Sequence, residues 1–506
     1  MSADAAFKDR GGGTARRLLL KGGYLLDPLD PSLEFARSDI LIRGDTISEI
    51  GDCPSAAADQ VIDLSGKVVM PGLISAHSHA STLLDRGLVD NLPLEPWLLQ
   101  TVMTGGDVNP RECYAATALS ATEFLRSGTS ALLDHLPTGL LQREEHLDAM
   151  IQAYVDVGLR VVVAPSYADL AFSQSLPLHL LGAGVDPSPL DSRPAPSATE
   201  ILREAQRFLE RWLHRHERIT PALGPSNPVR LSDGLMRETV ELARQYGVSI
   251  HSHLLESRLQ AVVSRERWGS SVGPFLKNVG CLGPHVSFAH AVWVNEADIR
   301  VLADSGSSVV HNPPANMRLG SGIAPLHAMR RSGLNVALGA DGPGGNDSQN
   351  MFEVMKYAAL MHKLYGPPSA WLSARDAMAM CVNGGSKALR QNVGTLKPGS
   401  LADLTILTLD RLFLMPKEHF VTQIVYSESG ASVDTVLVGG QVVVEGGVVR
   451  TVSITDLKRE VQATIGRVYA ELGARRRSFR GATSIIDQLM EAAGREALPY
   501  NRYATL

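Results

Sequence analysis

The stretch Val68–Ser81, VVMPGLISAHSHAS, decides how the rest of the chain is read. An apolar run ends in two histidines, His77 and His79, one residue apart. On an extended strand, residues two apart point to the same side, so both imidazoles can converge on one metal ion. An isolated His-x-His is equally explained by two surface histidines. The surrounding sequence has to decide between them.

Outward from that stretch, from about residue 110, the chain repeats one rhythm: amphipathic helix, glycine stop, short apolar strand. PRECYAATALSATEFLRSG (110–128) leads into TSALLDH, and EEHLDAMIQAYVDVG (144–158) into LRVVVAPS. SDGLMRETVELARQYG (232–247) opens with a Ser or Asp cap and leads into VSIHSHLLES. Gly128, Gly158, Gly247, Gly306 and Gly333 stand where a helix C-cap favours positive φ. With GLISAHSH as the first, eight strands are separated by crossover-length segments. That pattern predicts a (β/α)8 TIM barrel. An open doubly wound sheet is the rival, but no G-x-G-x-x-G follows a predicted strand.

The flanks read differently. RRLLLKGGYLLDP, SDILIRGDTISEI and QVIDLSGKVVM before the barrel, and LADLTILTLD and SVDTVLVGGQVVVEGGVV after it, are short strands joined by Gly/Asp turns. Neither set makes a good sheet alone. The expected organisation is a flexible leader at 1–16, a composite β-sandwich domain from 17–70 plus 395–455, the barrel inserted at 71–394, and a helical tail at 456–506. The Pro/Ser/Leu-rich segment from about 166 to 196 is too long for a routine connection, and such loops are usually lids or binding loops.

Composition narrows the function classes. Of 506 residues 44% are hydrophobic and 20% charged, enough apolar material for a large core. The net charge of −5 argues against nucleic acid or an acidic membrane as partner. Four scattered cysteines, Cys53, Cys113, Cys281 and Cys381, form no C-x-x-C pair. They suit a reducing compartment and exclude a cysteine zinc site. The opening residues lack an apolar signal-peptide core, and no apolar run is long enough to cross a bilayer. The expectation is a cytoplasmic enzyme whose partner is a small molecule, with a homodimer or larger homo-oligomer left open.

The metal-competent residues gather where a barrel carries its chemistry, at the C-terminal ends of the strands. His77 and His79 end strand 1, and His251 and His253 end strand 5, with Glu256 three residues on. His290 ends strand 6, His311 strand 7 and Asp341 strand 8. Imidazole nitrogens with one carboxylate suit Zn²⁺ or Fe²⁺ and leave a position open for water. His251 and His253 share a strand face, so either can be the ligand on this reading. His135 and Asp134, ending strand 2, read as scaffold.

With those residues in place, KVVMPGLISAHSHAS, IHSHLLES, SFAHAVWV, VVHNPPANMRLGSGIAP and ALGADGPGGNDSQNMFEVMKYAALMHKL resemble the amidohydrolase superfamily. They are similar in particular to its triazine hydrolase, adenosylhomocysteine deaminase and guanine deaminase branch. The resemblance covers nearly the whole chain, including GTLKPGSLADLTIL. It implies one divalent metal, Zn²⁺ ahead of Fe²⁺, held by His77, His79, His253 and Asp341. It gives Glu256 the role of proton shuttle, Asp341 that of proton acceptor, and His290 a hydrogen bond to substrate or water. Binuclear relatives carry a lysine on strand 4. RITPALGPSNP has none, so a mononuclear site is expected. The loop LLDRGLVDNLPLEPWLLQ resembles the substrate loop of nucleoside-acting relatives, with Glu95 and Trp97 as candidate substrate contacts beside His290, His311 and Asn316. Ala315 and Ala340 depart from the branch pattern, which has hydroxyl residues there. Strand 3, GLRVVVAPSYADLAF, lacks the extra arginines expected for gripping an amino-acid carboxylate. The implied reaction is metal-dependent hydrolytic deamination of a purine, pterin or triazine. Chloride expulsion or cyclic-amide opening at the same site is the alternative, and a non-catalytic assembly protein the alternative of another class.

Overall fold

The computed structural model describes residues 16–503 apart from 34–35, 102–107, 183, 192–193, 365, 417–418 and 479. The leader expected at 1–16 therefore lies almost wholly outside the described residues.

The helix signals act locally as their chemistry dictates. Asn109 caps Pro110–Arg126 in a reciprocal pair with Glu112, and Ser232 caps Asp233–Tyr246 through the Leu235 amide. Each satisfies amide donors that the first helical turn leaves unpaired. Gly158 and Gly247 end their helices in the left-handed region, at φ +86° and +67°.

The strands between these helices form two four-stranded parallel sheets. One holds Leu73–Ser78, Thr129–Asp134, Arg160–Val163 and Ile219–Pro221, and the other Ile250–Leu254, Val286–His290, Ser308–His311 and Asn335–Leu338. Single bridges join them at both seams, Leu223 to Ile250 and Ser78 to Asp341. The result is a TIM barrel of eight parallel strands. Its interior packs small and branched side chains, among them Ile74, Ala131, Val162, Ala222, Val310 and Ala337. The helices cover the outside.

The flanking strands from both ends of the sequence share one nine-stranded sheet. Lys67–Pro71 pairs antiparallel with Leu404–Thr408, placing Val69 opposite Ile406. Leu20, Ile40, Val69, Leu404 and Ile406 are buried together there. Arg160, the first residue of the third barrel strand, sends its guanidinium to Asp403 at 2.7 Å. That buried pair ties the barrel to the sheet. Two helices follow, Ile454–Ser478 and Arg480–Arg495. Arg111 anchors the first of them by an ion pair with Glu460 at 2.8 Å. Among the described residues no helix is long and apolar enough to cross a membrane.

A candidate metal centre at the strand ends

Two of the expected ligands come from the first barrel strand, where the pairing register with its neighbour shifts between Ser75 and Ser78. Such an irregularity re-aims side chains at a strand end. His77 is fully buried, while His79, just past the strand, keeps 23% of its side chain exposed. His253 is also half-buried, so the cluster is open on the side of these two rings.

The nitrogens facing away from the cluster are all engaged. His79 Nδ1 faces the His135 carbonyl oxygen, and His253 Nδ1 lies 2.7 Å from the Ser226 carbonyl oxygen. A carbonyl only accepts, so both Nδ1 atoms carry the proton and both Nε2 atoms carry lone pairs. Those two Nε2 atoms lie 3.2 Å apart. Two lone pairs cannot hydrogen-bond each other. Nor is a proton well placed to bridge them, because burial and neighbouring imidazoles push the His253 pKa well below its ordinary value. A metal cation resolves the contact. His77 Nε2 is buried without a hydrogen-bond partner and stands 3.7 Å from Asp341 Oδ1, which is 3.6 Å from His79 Nε2. The four donors fit one divalent ion in type and placement.

His251 sits behind this cluster. Its Nε2 is 2.8 Å from His77 Nδ1, and its Nδ1 is 2.7 Å from Ser287 Oγ. His77, His135 and His251 also bring ring nitrogens within 4.8 Å of one another. The close His77–His251 contact makes that trio a hydrogen-bonded support, since it uses the other nitrogen of His77. His135 reaches the Gly224 carbonyl through Nε2 at 3.3 Å.

Asp341 lies three residues beyond its strand, at φ +63°. Its own Oδ1 accepts from the Gly342 amide at 2.7 Å. Gly342 is required by close approach, because a Cβ there would come within 2.8 Å of His79 Cβ. His290 and Leu255 also have positive φ, +68° and +44°. Such backbone costs about 1–3 kcal/mol per residue and persists where surrounding structure over-determines it. Its concentration around one cluster marks a site built for position.

His290 Nε2 is 3.8 Å from Asp341 Oδ2, and its Nδ1 is 2.9 Å from Asn316 Oδ1 and 3.3 Å from Asn312 Nδ2. Glu256 Oε1 lies 3.7 Å from the same Nδ1 and accepts from Ser321 Oγ at 3.4 Å. Burial, then the charges of Asp341 and Glu95, raise the Glu256 pKa well above the usual carboxylate range. Each of these causes favours the neutral, protonated form of its carboxyl. Glu95, from helix Leu94–Thr101, is buried with its pKa raised by burial, and the Ser257 hydroxyl donates to it.

The remaining candidates are placed differently. Trp97 donates its indole N–H to the Gly344 carbonyl at 3.1 Å, tying its helix to the loop that carries Asp341. His311 turns to His362, with Nε2 atoms 3.0 Å apart, and is fully buried. Asn316 spends its oxygen on His290 while its Nδ2 has no partner. At the departure Ala340, the backbone amide donates to Ser75 Oγ at 3.0 Å. Sequence reading missed Asn312, Ser321, Ser257, Ser226 and Ser287. No spacing signals them, since each meets its partner across the fold.

Comparison with known proteins agrees with this geometry. The amidohydrolase family model matches residues 68–443. A 5-methylthioadenosine/S-adenosylhomocysteine deaminase from Thermococcus kodakarensis is 34% identical over 426 residues, covering 84% of this chain and 93% of that protein. A 5′-deoxyadenosine deaminase from Methanothermobacter thermautotrophicus is 34% identical over 433 residues, covering 85% and 93%. Among solved structures, the triazine hydrolase from Arthobacter aurescens superposes with a TM-score of 0.80 at 25% identity, covering 89% of this chain and 99% of that one. The chain belongs to the amidohydrolase family. It is accordingly a metal-dependent hydrolase acting on carbon–nitrogen bonds other than peptide bonds, and hydrolytic deamination of an aminated heterocycle, as expected from the sequence, is the activity its relatives support.

Proposed function

We propose that this chain deaminates an adenine nucleoside, replacing the 6-amino group with oxygen from water and releasing ammonia. The observation that carries the reading is the placement of a buried Glu256, its pKa raised by burial, beside three imidazoles and one carboxylate that share a centre. That pairing supplies a nucleophile and an acid to the same substrate atom pair. The adenosine-type substrates of the similar deaminases support the nucleoside. Among the described residues lining the cavity beside Glu95, the one cation, Arg258, donates to the Ala493, Gly494 and Glu496 carbonyls. This favours an uncharged nucleoside over a nucleotide.

His77, His79, His253 and Asp341 would hold the metal, and their nitrogen-rich donor set favours Zn²⁺. When bound, the ion supplies Lewis acidity that brings the pKa of a water toward neutrality. Asp341 takes that water's proton on its carboxylate. Glu256 delivers its own proton to the ring nitrogen next to the aminated carbon, which makes that carbon electrophilic. His290, oriented by Asn316, hydrogen-bonds the oxygen as it adds. Glu256 then takes the proton of the added hydroxyl and carries it to the amino group, ammonia leaves as the carbonyl forms, and the proton held by Asp341 restores Glu256. The buried Glu95 carboxyl is placed to accept hydrogen bonds from sugar hydroxyls. Free, buried cysteines fit a reducing cytoplasm.

The test is ammonia release by the zinc-loaded chain across adenosine, 5′-deoxyadenosine, adenine, guanine and an aminated triazine. The nucleosides should be turned over fastest. Turnover confined to the triazine, or to a free base, would overturn the nucleoside reading.

A further inference from the structure

The second tail helix, Arg480–Arg495, is amphipathic, and its apolar side is not turned to solvent. Ile486 and Leu489 pack with Leu99 of the Glu95 helix, with Phe172 and Leu190 of the 166–196 segment, and with Val262 beyond Glu256. The tail thus holds together the elements expected to border the substrate. Arg258 fixes its end, with Nε 2.9 Å from the Ala493 carbonyl and Nη2 2.7 Å from that of Glu496.

The last described residues then run back over the same barrel end. The Ile323 amide donates to the Arg502 carbonyl at 2.7 Å, and Tyr500 Oη to the Trp293 carbonyl at 2.6 Å. These bonds seat Tyr503 edge-on to Trp293, with ring centroids 5.1 Å apart. Met490 and Tyr503 form one wall of a cavity of about 30 Å³ whose other walls include Glu95, Ser257 and Ser321. Ser321 is the hydroxyl that reaches Glu256, and Ser257 the one that reaches Glu95. The tail therefore lines one cavity with Glu95 and with the two serines that reach the buried carboxyls.

We infer that Met490 and Tyr503 of the C-terminal tail form the distal wall of the substrate pocket and set how large a group the nucleoside carries at its 5′ position. This rests on the nucleoside reading. The space between the wall and Glu95 holds about one water. It takes a methyl-sized deoxy end and excludes an amino-acid extension. Steric exclusion of this kind discriminates by roughly 10–200-fold per methylene-sized group.

The experiment compares kcat/KM for adenosine analogues bearing small and extended 5′ substituents, on the zinc-loaded wild type, Tyr503→Ala and Met490→Ala. The wild type should favour the small group. Each variant should shift the ratio toward the extended one by about tenfold, with unchanged metal content. A second reading uses Tyr503→Cys, since Cys53, Cys113, Cys281 and Cys381 are all buried. A thiol reagent should label the introduced thiol, and the deaminated product should slow the labelling. Nucleoside turnover with an unmoved ratio and unprotected labelling overturns the tail wall alone. Turnover of a different heterocycle overturns the nucleoside reading, while protection by that heterocycle's product would still uphold the wall.

Discussion

Two His-x-His pairs face each other across the barrel, His77 and His79 from the first strand and His251 and His253 from the fifth. The ring centroids of His77 and His251 are 5.0 Å apart, and those of His79 and His253 are 5.3 Å apart. Spacing and strand-end position are the same, yet the pairs have different surroundings. In the first pair both Nε2 atoms face the cluster. In the second only His253 does, because His251 has both nitrogens in hydrogen bonds, one to His77 and one to Ser287. A histidine becomes available to a metal through what occupies its other nitrogen, and that partner comes from elsewhere in the fold.

The comparison breaks most sharply at His253. His253→Ala is expected to lose bound metal and nearly all turnover, measured by metal analysis and ammonia release. Chelation of the wild type should do the same, with activity restored by added Zn²⁺. Full metal in the His253→Ala protein would mean the two members of the pair had been assigned in reverse.

Glu256→Gln comes next. It keeps size and hydrogen bonding but cannot deliver a proton, so kcat should fall about 10²–10⁴-fold with metal content unchanged. The pH dependence has a definite sign. Glu256 works protonated and its pKa is raised, so activity is present below that raised value and lost as pH climbs through it. That alkaline limb should vanish from the residual activity of Glu256→Gln. A limb that persists would assign it to another group.

His251→Ala sharpens the contrast from the other side. Removing the acceptor that orients His77 should weaken metal affinity by about 10–100-fold while leaving one equivalent bound when zinc is in excess. Competition against a chelator measures it. The smallest effect is expected at Trp97→Phe. Losing the indole bond to the Gly344 carbonyl should cost about 1 kcal/mol of stability. Thermal unfolding should register that shift, and a drop in kcat larger than Glu256→Gln produces would contradict an anchoring role.

The helix and strand rhythm was legible because it depends on local chemistry. The glycine stops took positive φ, all five of them, and the Ser232 cap engaged its own helix. The strand-end histidines were legible too, since a parallel barrel sends every strand's C-terminus to one face. His311 shows the limit. It ends a strand as His290 does, but it turns to His362, a partner that nothing in VVHNPP announces. That both flanks join in one β domain was inferable only because each flank alone was too short to be a sheet.

By itself, the sequence determined the barrel, the family and the set of residues able to bind metal. Those follow from period, capping and residue type, which act over a few positions. Only the tertiary structure decided which nitrogen of each histidine is left open, that Ser321 and Asn316 reach Glu256 and His290, and that the tail returns to line a cavity with Glu95. Each of these depends on contacts between segments far apart in the chain, as with His77 and His251, 174 residues apart. Hydrogen-bond partners and packing neighbours at that range are selected by the closed barrel and the tail laid across it, and no local pattern encodes them.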